Sequence, residues 1–286
     1  MPPTIGFHVS IAGGIYKSFQ RATKLGCDTF QVFTRNPRGW KYKELGKKDV
    51  DLFKETAKKS PEISPVYSHM PYLPNLSAPD KEIIEKSLFH LKLEIERCCA
   101  LGIPYIVTHC GSHKGKGKKL GIESITDLLT EALASTPNNG PLILLENTSG
   151  SKNSVGDTLE ELTEIIDGTG LKEKLGICYD TCHGFAAGIG DIRTRKGIDQ
   201  LYDDLSRIIG TDKVRLIHLN DSTGDFDGKL DRHEHIGLGK IGEEGFKLFL
   251  NDERFTRIPM ILETPVNDVR KDEDNMTAVR GLLGTT

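Results

Sequence analysis

The stretch CYDTCHGF, residues 178–185, brings together several side-chain types that bind metal ions in proteins. Cys178, Cys182 and His183 could begin a zinc site, because thiolate sulfur and imidazole nitrogen are common zinc ligands. Asp180, however, lies between the cysteines and ends an apolar run that predicts a buried strand. The stretch therefore allows either a structural Cys/His zinc knot or an Asp/His pair that belongs to a larger site.

Short apolar runs rich in β-branched residues recur along the chain and predict eight strands. They cover residues 4–9, 29–34, 64–69, 104–109, 142–147, 175–180, 214–219 and 258–263. Segments with helical spacing lie between them, including 81–102, 124–135, 158–170 and 197–210. Strands that are apolar throughout indicate a parallel sheet covered on both faces. Eight strand–helix units predict an α/β fold, a (β/α)8 TIM barrel, and the absence of a composition shift predicts a single domain over residues 1–286.

In such a barrel the chemistry gathers at the C-terminal ends of the strands. The predicted strands three to eight each end in a side chain that can bind a metal: His69, His109, Glu146, Asp180, His218 and Glu263. One such residue alone would most often be a solvated strand end, but six in succession favour a metal centre. The glutamates also follow strongly apolar runs, where an unpaired charge would be costly. Two loops add further candidate ligands, namely His183, Asp231 and His233, with His235 as a candidate supporting residue or an exposed loop histidine.

Nine ordered segments resemble endonuclease IV, the barrel-fold apurinic/apyrimidinic endonuclease family of DNA repair, along nearly the whole chain. They are HVSIAGG (8–14), FTRNPRGW (33–40), SHMPYLPNLS (68–77), THCGSH (108–113), LLENTSG (144–150), CYDTCHGFAAG (178–188), HLNDS (218–222), DRHEHIGLGKIG (231–242) and ILETP (261–265). The resemblance implies hydrolysis of the phosphodiester 5′ to abasic sites in duplex DNA, which leaves a 3′-hydroxyl and a 5′-deoxyribose phosphate. It also implies removal of groups that block 3′ ends.

The resemblance further implies three Zn²⁺ ions per chain. The first would bind His69, His109 and Glu146. Glu146 would bridge to the second, which would also bind Asp180, His218 and Glu263. The third would bind His183, Asp231 and His233. Three carboxylates, those of Glu146, Glu263 and Asp180, would be the catalytic ones, while Mn²⁺ or Fe²⁺ could replace zinc because nitrogen and oxygen ligands accept all three metals.

The cysteines would then bind no metal. Cys178 lies two residues before Asp180 on the same face of its strand, about 6.6 Å deeper, and is expected inside the packed barrel. Cys182 is expected to be a small packing residue in the following loop.

The stretch 34–48 is basic and aromatic, as suits contact with a bent or unstacked duplex. Its members are Arg35, Arg38, Lys41, Lys43, Lys47 and Lys48, around Trp40 and Tyr42. The resemblance implies that Arg38, Tyr72 and Leu73 enter the DNA where the abasic nucleotide is flipped out, with Asn36 as a further DNA contact. A second basic stretch, 113–121, carries four lysines among glycines: Lys114, Lys116, Lys118 and Lys119. We expect these lysines to contact phosphates, although either stretch could instead be a solvated loop.

Charge and hydropathy limit the binding partners and the cellular location that the sequence allows. A net charge of −3 gives no global sign of DNA binding, so any DNA surface must be local. No apolar run approaches the roughly 18 residues of a membrane span, and the N-terminus lacks the features of a signal peptide. We therefore expect a monomer in the cytoplasm that meets the nucleoid through DNA and makes no membrane contact.

Two other functions fit parts of the pattern. The same barrel with strand-end ligands serves metal-dependent sugar isomerases and dehydratases, which typically need one or two metals. A DNA-binding scaffold that stores metal is a third, non-enzymatic reading. A metal count separates the nuclease from the isomerase, because about three ions per chain favour the nuclease and one or two favour the isomerase.

Overall fold

Short parallel strands form the centre of the molecule in the computed structural model, which describes residues 2–284. The strands are β1 (Ile5–His8), β2 (Thr29–Val32), β3 (Val66–His69), β4 (Tyr105–His109), β5 (Leu142–Glu146), β6 (Leu175–Asp180), β7 (Val214–His218), β8 (Asp221–Ser222), β9 (His233–Glu234) and β10 (Met260–Leu262). Strands β1 to β7 and β10 close into a barrel in the order β1-β10-β7-β6-β5-β4-β3-β2, while β8 and β9 pair as a small antiparallel hairpin. The predicted TIM barrel is confirmed.

Helices alternate with the barrel strands and cover them. They are α1 (Lys17–Lys24), α2 (Lys47–Lys59), α3 (Lys81–Leu101), α4 (Lys118–Ala134), α5 (Leu159–Thr169), α6 (Thr181–Ala187), α7 (Arg195–Asp204), α8 (Gly242–Leu250) and α9 (Asp272–Leu282). A π-helical turn, Leu205–Ile209, continues α7. The prediction for α4 was wrong at its start, which lies six residues earlier than expected and takes up part of the lysine stretch. Within residues 2–284, none of the helices combines the length and the apolar character that a membrane crossing requires.

Capping residues at both ends explain where α3 begins and ends. The Asp80 side chain accepts a hydrogen bond from the backbone N–H of Ile83, which satisfies one of the free donors at the helix N-terminus. Gly102 ends the helix in the left-handed conformation, at φ +77°, which is open to glycine without steric cost. Between these residues, Leu91 and Ile95 are buried against the barrel. Sequence spacing and capping chemistry therefore agree on this element.

One layer of side chains fills the inside of the barrel beneath its mouth. Its members are Tyr67, Val107, Leu144, Cys178, Leu216 and Ile261, all buried. Each lies two residues before one of the six predicted strand-end ligands. Because side chains two positions apart on a strand share a face, this apolar layer forms the floor on which those ligands stand. The placement of Cys178 inside the barrel agrees with the sequence prediction.

Candidate metal centre at the barrel mouth

The six strand-end side chains lie together at the C-terminal end of the barrel. Four of them are buried, namely His69, Glu146, Asp180 and His218. His109 and Glu263 are partly exposed and line a cavity of about 400 Å³. The fold thus brings all six together above the interior layer.

The first cluster joins His69, His109 and Glu146, whose ligand atoms lie within 4.8 Å of one another. Glu146 Oε2 is 3.2 Å from His69 Nε2 and 3.7 Å from His109 Nε2. His69 Nδ1 lies 2.6 Å from the carbonyl oxygen of Met70 and donates to it. The His69 Nε2 lone pair therefore faces the carboxylate, an arrangement that suits a bound cation between them.

The second cluster joins Glu146, Asp180, His218 and Glu263, also within 4.8 Å. His218 Nδ1 lies 3.2 Å from Glu146 Oε1, 3.3 Å from Glu263 Oε2 and 3.9 Å from Asp180 Oδ2. Glu146 thus offers one oxygen to each cluster. A carboxylate shared in this way is what a bridging ligand between two metals requires.

The third cluster joins His183, Asp231 and His233. His183 lies on the short helix α6 rather than in the predicted loop, whereas Asp231 comes just before strand β9, which begins at His233. His183 Nε2 lies 3.0 Å from Asp231 Oδ1, while His183 Nδ1 donates to the carbonyl oxygen of Asn147 at 3.1 Å. His233 stands on strand β9, and its Nδ1 donates to the carbonyl oxygen of Glu263 at 3.1 Å. Both imidazoles are thus oriented by backbone acceptors, which leaves Nε2 of each for a ligand.

Asp221 explains why the loop around β9 folds back over the mouth. Its buried carboxylate accepts backbone N–H bonds from Gly237, Gly239 and Ile241 at 2.9 to 3.0 Å. These bonds fasten the segment after β9 to strand β8, so that His233 is held over the barrel. His235, the candidate supporting residue, is buried instead against Asn275 and Asn267, 3.0 Å from each.

Orphaned polar atoms test whether the three clusters fit metal ions. Glu146 Oε1, His218 Nδ1 and His233 Nε2 are buried and have no hydrogen-bond partner in the described part of the chain. Buried polar groups are normally paired, so unpaired ones call for an explanation. Lone pairs of imidazole and carboxylate converge at these atoms, and this donor set is the one that binds Zn²⁺, Mn²⁺ or Fe²⁺. The residues fit the predicted metals.

The pKa shifts within the clusters also favour bound cations. Burial disfavours the charged form of His218, but the acidic groups around it, Glu146 and Glu263 among them, raise its pKa well above the usual histidine range. The same balance, with Asp180 and Asp231 as partners, raises the pKa of His183. Burial alone would raise the pKa of Glu146, yet the facing histidines lower it well below its usual range. The carboxylates thus favour positive charge at the positions they face.

Buried amides that the sequence reasoning missed hold the carboxylates in place. Asn220 Nδ2 donates to Asp180 Oδ2 at 2.6 Å, and Asn220 Oδ1 accepts from the backbone N–H of Glu263 at 2.8 Å. Asn147 Oδ1 accepts from the backbone N–H of Asp180 at 2.7 Å. Each asparagine lies one or two residues after a strand-end ligand in the sequence. This spacing could have identified both as neighbours of the candidate centre.

Two more missed residues come from the first two strands. His8 ends strand β1, and its ring lines the cavity. Gln31 on β2 contacts His8, His218 and Glu263 through its side-chain amide. His8 could have been found by extending the search for strand-end residues to the first strand.

The two cysteines of the opening stretch are both buried. Burial raises the pKa of the Cys178 thiol to about 12 and that of Cys182 to about 12. The Cys182 sulfur lies within 4.8 Å of ligand atoms of Asp180 and His233, and its S–H donates to the carbonyl oxygen of Arg232 at 3.7 Å. Geometry alone therefore keeps Cys182 within reach of a metal, whereas Cys178 belongs to the apolar layer beneath.

The predicted DNA contacts lie in two loops, and Tyr72 among them lines the cavity. Tyr72 is 63% exposed and packs edge-on against Phe33, which in turn packs against His69. Leu73 beside it is also exposed. In the other loop Arg38 is exposed, and its backbone N–H donates to the Asn36 side chain at 3.0 Å. An exposed aromatic side chain thus stands next to the candidate centre.

Parts of the two basic stretches are not free for DNA. Arg35 is buried, with Nε 3.8 Å from the buried Glu94 carboxylate. Lys47 begins α2 and pairs with Asp51 on the same helix. Lys118 begins α4 and pairs with two acidic groups, those of Asp157 and Glu161. The charges of Arg35 and Lys118 are thus neutralised by partners distant in sequence, which disfavours DNA contact by either side chain.

Comparison with known proteins places this geometry in a family. A family model described as the xylose isomerase-like TIM barrel matches residues 19–283. The chain is 49% identical over 280 residues to a protein named probable endonuclease 4 from Methanoculleus marisnigri, which covers 98% of this chain and 99% of that protein. A protein of the same name from Nitrosopumilus maritimus is 45% identical, with 95% and 97% covered. The crystal structure of endonuclease IV from Thermus thermophilus superposes with a TM-score of 0.85 at 34% identity, covering 98% of each chain. The chain belongs to the endonuclease 4 family of xylose isomerase-like TIM barrels.

Proposed function

We propose that this protein hydrolyses the phosphodiester 5′ to abasic sites in duplex DNA and cleans blocked 3′ ends with the same centre. Family membership supports a DNA-repair nuclease. The observation that carries the proposal is the meeting of three ligand clusters at one barrel mouth, with Glu146 shared between two of them. A centre of this size suits a phosphodiester, whose transition state carries more negative charge than its ground state.

Three metal ions, Zn²⁺ by preference, would bind the three clusters. His69, His109 and Glu146 would hold one, and Glu146 would reach the second with Asp180, His218 and Glu263. His183, Asp231 and His233 would hold the third. When bound, the ions would lower the pKa of water toward 7 and neutralise charge on the phosphate. The four carboxylates offset only part of the charge of three divalent ions, which leaves the centre attractive to an anion.

The protein's own residues would hold this centre rigid. Backbone acceptors fix one nitrogen of His69, His183 and His233, so each imidazole presents the other nitrogen to a ligand. Asn220 positions the carboxylate of Asp180 and the backbone of Glu263 together. In the overall reaction the water oxygen bonds to phosphorus and the bond from phosphorus to O3′ breaks. The leaving O3′ keeps the electron pair, gains a proton and becomes the 3′-hydroxyl.

Selection of abasic sites would depend on the two loops at the rim. Tyr72 and Leu73 are exposed apolar side chains that could take the place of an unstacked nucleotide. Arg38 would supply an exposed cation from the other loop. An abasic nucleotide lacks both stacking and pairing, so it is the cheapest nucleotide to extrude. Little reading of base sequence is then needed.

The third cluster argues against the sugar isomerase alternative. An isomerase centre of one or two metals would use the strand-end residues and leave His183, Asp231 and His233 without a role. These residues converge in space although they come from two separate segments, helix α6 and the segment that leads into strand β9. The backbone carbonyls that orient His183 and His233 also argue against a mere metal store.

A duplex carrying one tetrahydrofuran abasic analogue tests the proposal. The analogue cannot undergo β-elimination, so cleavage that leaves a 3′-hydroxyl means hydrolysis. We expect 3′-hydroxyl and 5′-phosphate ends from the zinc-loaded protein. We expect Glu146→Gln to lower the rate by at least about 100-fold, because a shared ligand matters more than the outer partners of a metal site. Absence of cleavage by the loaded wild-type protein, or ring opening of a sugar instead, would refute the proposal.

A further inference from the structure

The hydrogen-bond partners of His218 determine how Gln31 is oriented. His218 Nδ1 faces the carboxylates of Glu146 and Glu263. As a metal ligand it would carry no proton, so the ring proton would be on Nε2. That Nε2–H lies 3.0 Å from Gln31 Oε1 and donates to it. The amide oxygen of Gln31 therefore points to His218, and its NH2 group points away.

The orientation of Gln31 in turn determines where His8 carries its proton. The two N–H groups of Gln31 Nε2 reach Glu263 Oε1 at 2.7 Å and His8 Nδ1 at 3.0 Å. Two donors would not face each other at that distance, so His8 Nδ1 accepts. His8 is then neutral with its proton on Nε2. His8 Nδ1 and Glu263 Oε1 lie 3.2 Å apart. In this arrangement both accept from the Gln31 amide and neither donates to the other.

The protonated nitrogen of His8 is the one without a partner. His8 Nε2 is buried and makes no hydrogen bond to any residue within 2–284. The ring packs against Phe33, with centroids 4.2 Å apart, and lines the cavity above the candidate centre. The His8 ring thus stands at the wall of the cavity that the phosphate would enter, and its buried N–H donor is not used by any residue within 2–284.

We propose that His8 is a further catalytic residue, whose Nε2–H donates a hydrogen bond to a non-bridging oxygen of the scissile phosphate. This inference rests on the proposed function. The non-bridging oxygens gain charge as water attacks phosphorus, so a fixed donor is worth more in the transition state than in the ground state. The imidazole keeps its proton throughout, and no bond forms or breaks at His8. A neutral donor also avoids repulsion from a centre that is already cationic.

Two substitutions separate the contribution of the N–H donor of His8 from that of its ring packing. His8→Phe keeps a ring against Phe33 and removes the N–H, while His8→Gln restores an N–H without the ring. With the zinc-loaded protein and the tetrahydrofuran duplex, we expect His8→Phe to lower kcat by about 100-fold, as for loss of one oxyanion donor. KM should change by less than about threefold. The kcat of His8→Gln should be at least about tenfold higher than that of His8→Phe. Metal content should equal that of the wild type in both variants.

Nitrogen NMR of the metal-loaded protein gives a readout that does not depend on activity. We expect the His8 ring to show the neutral form protonated at Nε2, and that signal to disappear in His8→Phe. A proton on Nδ1 would overturn the inference, as would loss of a metal in His8→Phe or an unchanged kcat. Wild-type protein that fails to cleave would refute the proposed function itself, whereas cleavage at the same rate by wild type and His8→Phe would refute only the role of His8.

Discussion

The carboxylate of Asp180 accepts a hydrogen bond of 2.7 Å from the backbone N–H of His183, three residues later. One oxygen, Oδ1, thus caps the short helix α6 that carries His183. The other oxygen, Oδ2, accepts from Asn220 and lies 3.6 Å from His233 Nε2. In the stretch CYDTCHGF, the aspartate therefore both folds the local backbone and faces the candidate centre.

Substitution of Asp180 should separate these two roles. Asparagine is as good a helix cap as aspartate, so Asp180→Asn should bind less metal while it keeps the cap. Asp180→Ala should lose both, and its metal-free form should be less stable than that of Asp180→Asn by about 1 kcal/mol. Metal analysis and denaturant unfolding of the metal-free proteins measure the two effects. Full metal content in Asp180→Asn would remove Asp180 from the centre.

Replacing the two cysteines tests the zinc-knot reading of the same stretch. Cys178→Ala and Cys182→Ala should each keep the metal content of the wild type, because burial raises both thiol pKa values to about 12 and disfavours the thiolate that metals bind. Mass spectrometry of the metals in each purified variant is the measurement. Cys182→Ala is the sharper test, since its sulfur lies close to Asp180 and His233. Loss of an ion in either variant would make that cysteine a ligand.

The lysine stretch should contribute to DNA binding through three of its four lysines. Replacing Lys114, Lys116 and Lys119 with alanine should weaken binding to damaged and undamaged duplex by similar factors. The slope of log affinity against log salt should flatten by roughly one to two units, because each phosphate contact contributes about 0.9. Fluorescence titration across salt concentrations measures the slope.

Lys118→Ala is the matched control for that experiment. Lys118 pairs with Asp157 and Glu161, so its loss should cost at most about 1 kcal/mol of stability and leave the salt slope unchanged. A slope that is unchanged in the triple variant would make the stretch a solvated loop. A slope that flattens in Lys118→Ala would mean that the ion pairs open on DNA.

The stabilisation that metal confers should grow as pH rises. In the metal-free protein, the pKa values of His183 and His218 are raised, so the stability they confer as cations is complete below about pH 6.5 and is lost as pH rises through the raised values. Metal binding needs the same imidazoles neutral and therefore strengthens over that range. The difference in Tm between zinc-loaded and metal-free protein should widen from pH 5.5 to pH 8. A constant difference would mean that these histidines do not bind the metal.

The strand-end residues could be found in the sequence because an apolar run that stops at a histidine or acid reveals both burial and chemistry. The eight-strand pattern located His69 through Glu263 before any contact was known. Gln31 escaped because it lies within a buried strand and resembles a packing residue, and its role depends on three partners from other strands. Local sequence shows what a side chain is, but only the fold shows what it faces.

The expectations that the structure disfavours share one physical origin. Arg35 and Lys118 belong to basic stretches, yet Glu94 and Glu161, which neutralise them, come from helices far along the chain. His235 follows the alternation of the ligand pair before it, but the loop turns its ring toward Asn275. Pairings between distant segments decided each of these cases.

The number of metal ions per chain tests the central claim most directly. Purified protein, stripped and then reloaded with zinc, should hold about three ions by mass spectrometry. Replacing His183 and His233 together with alanine should reduce the number to about two, because only the third cluster is removed. A wild-type protein that saturates at one or two ions, with no further loss in the double variant, would contradict the three-metal account.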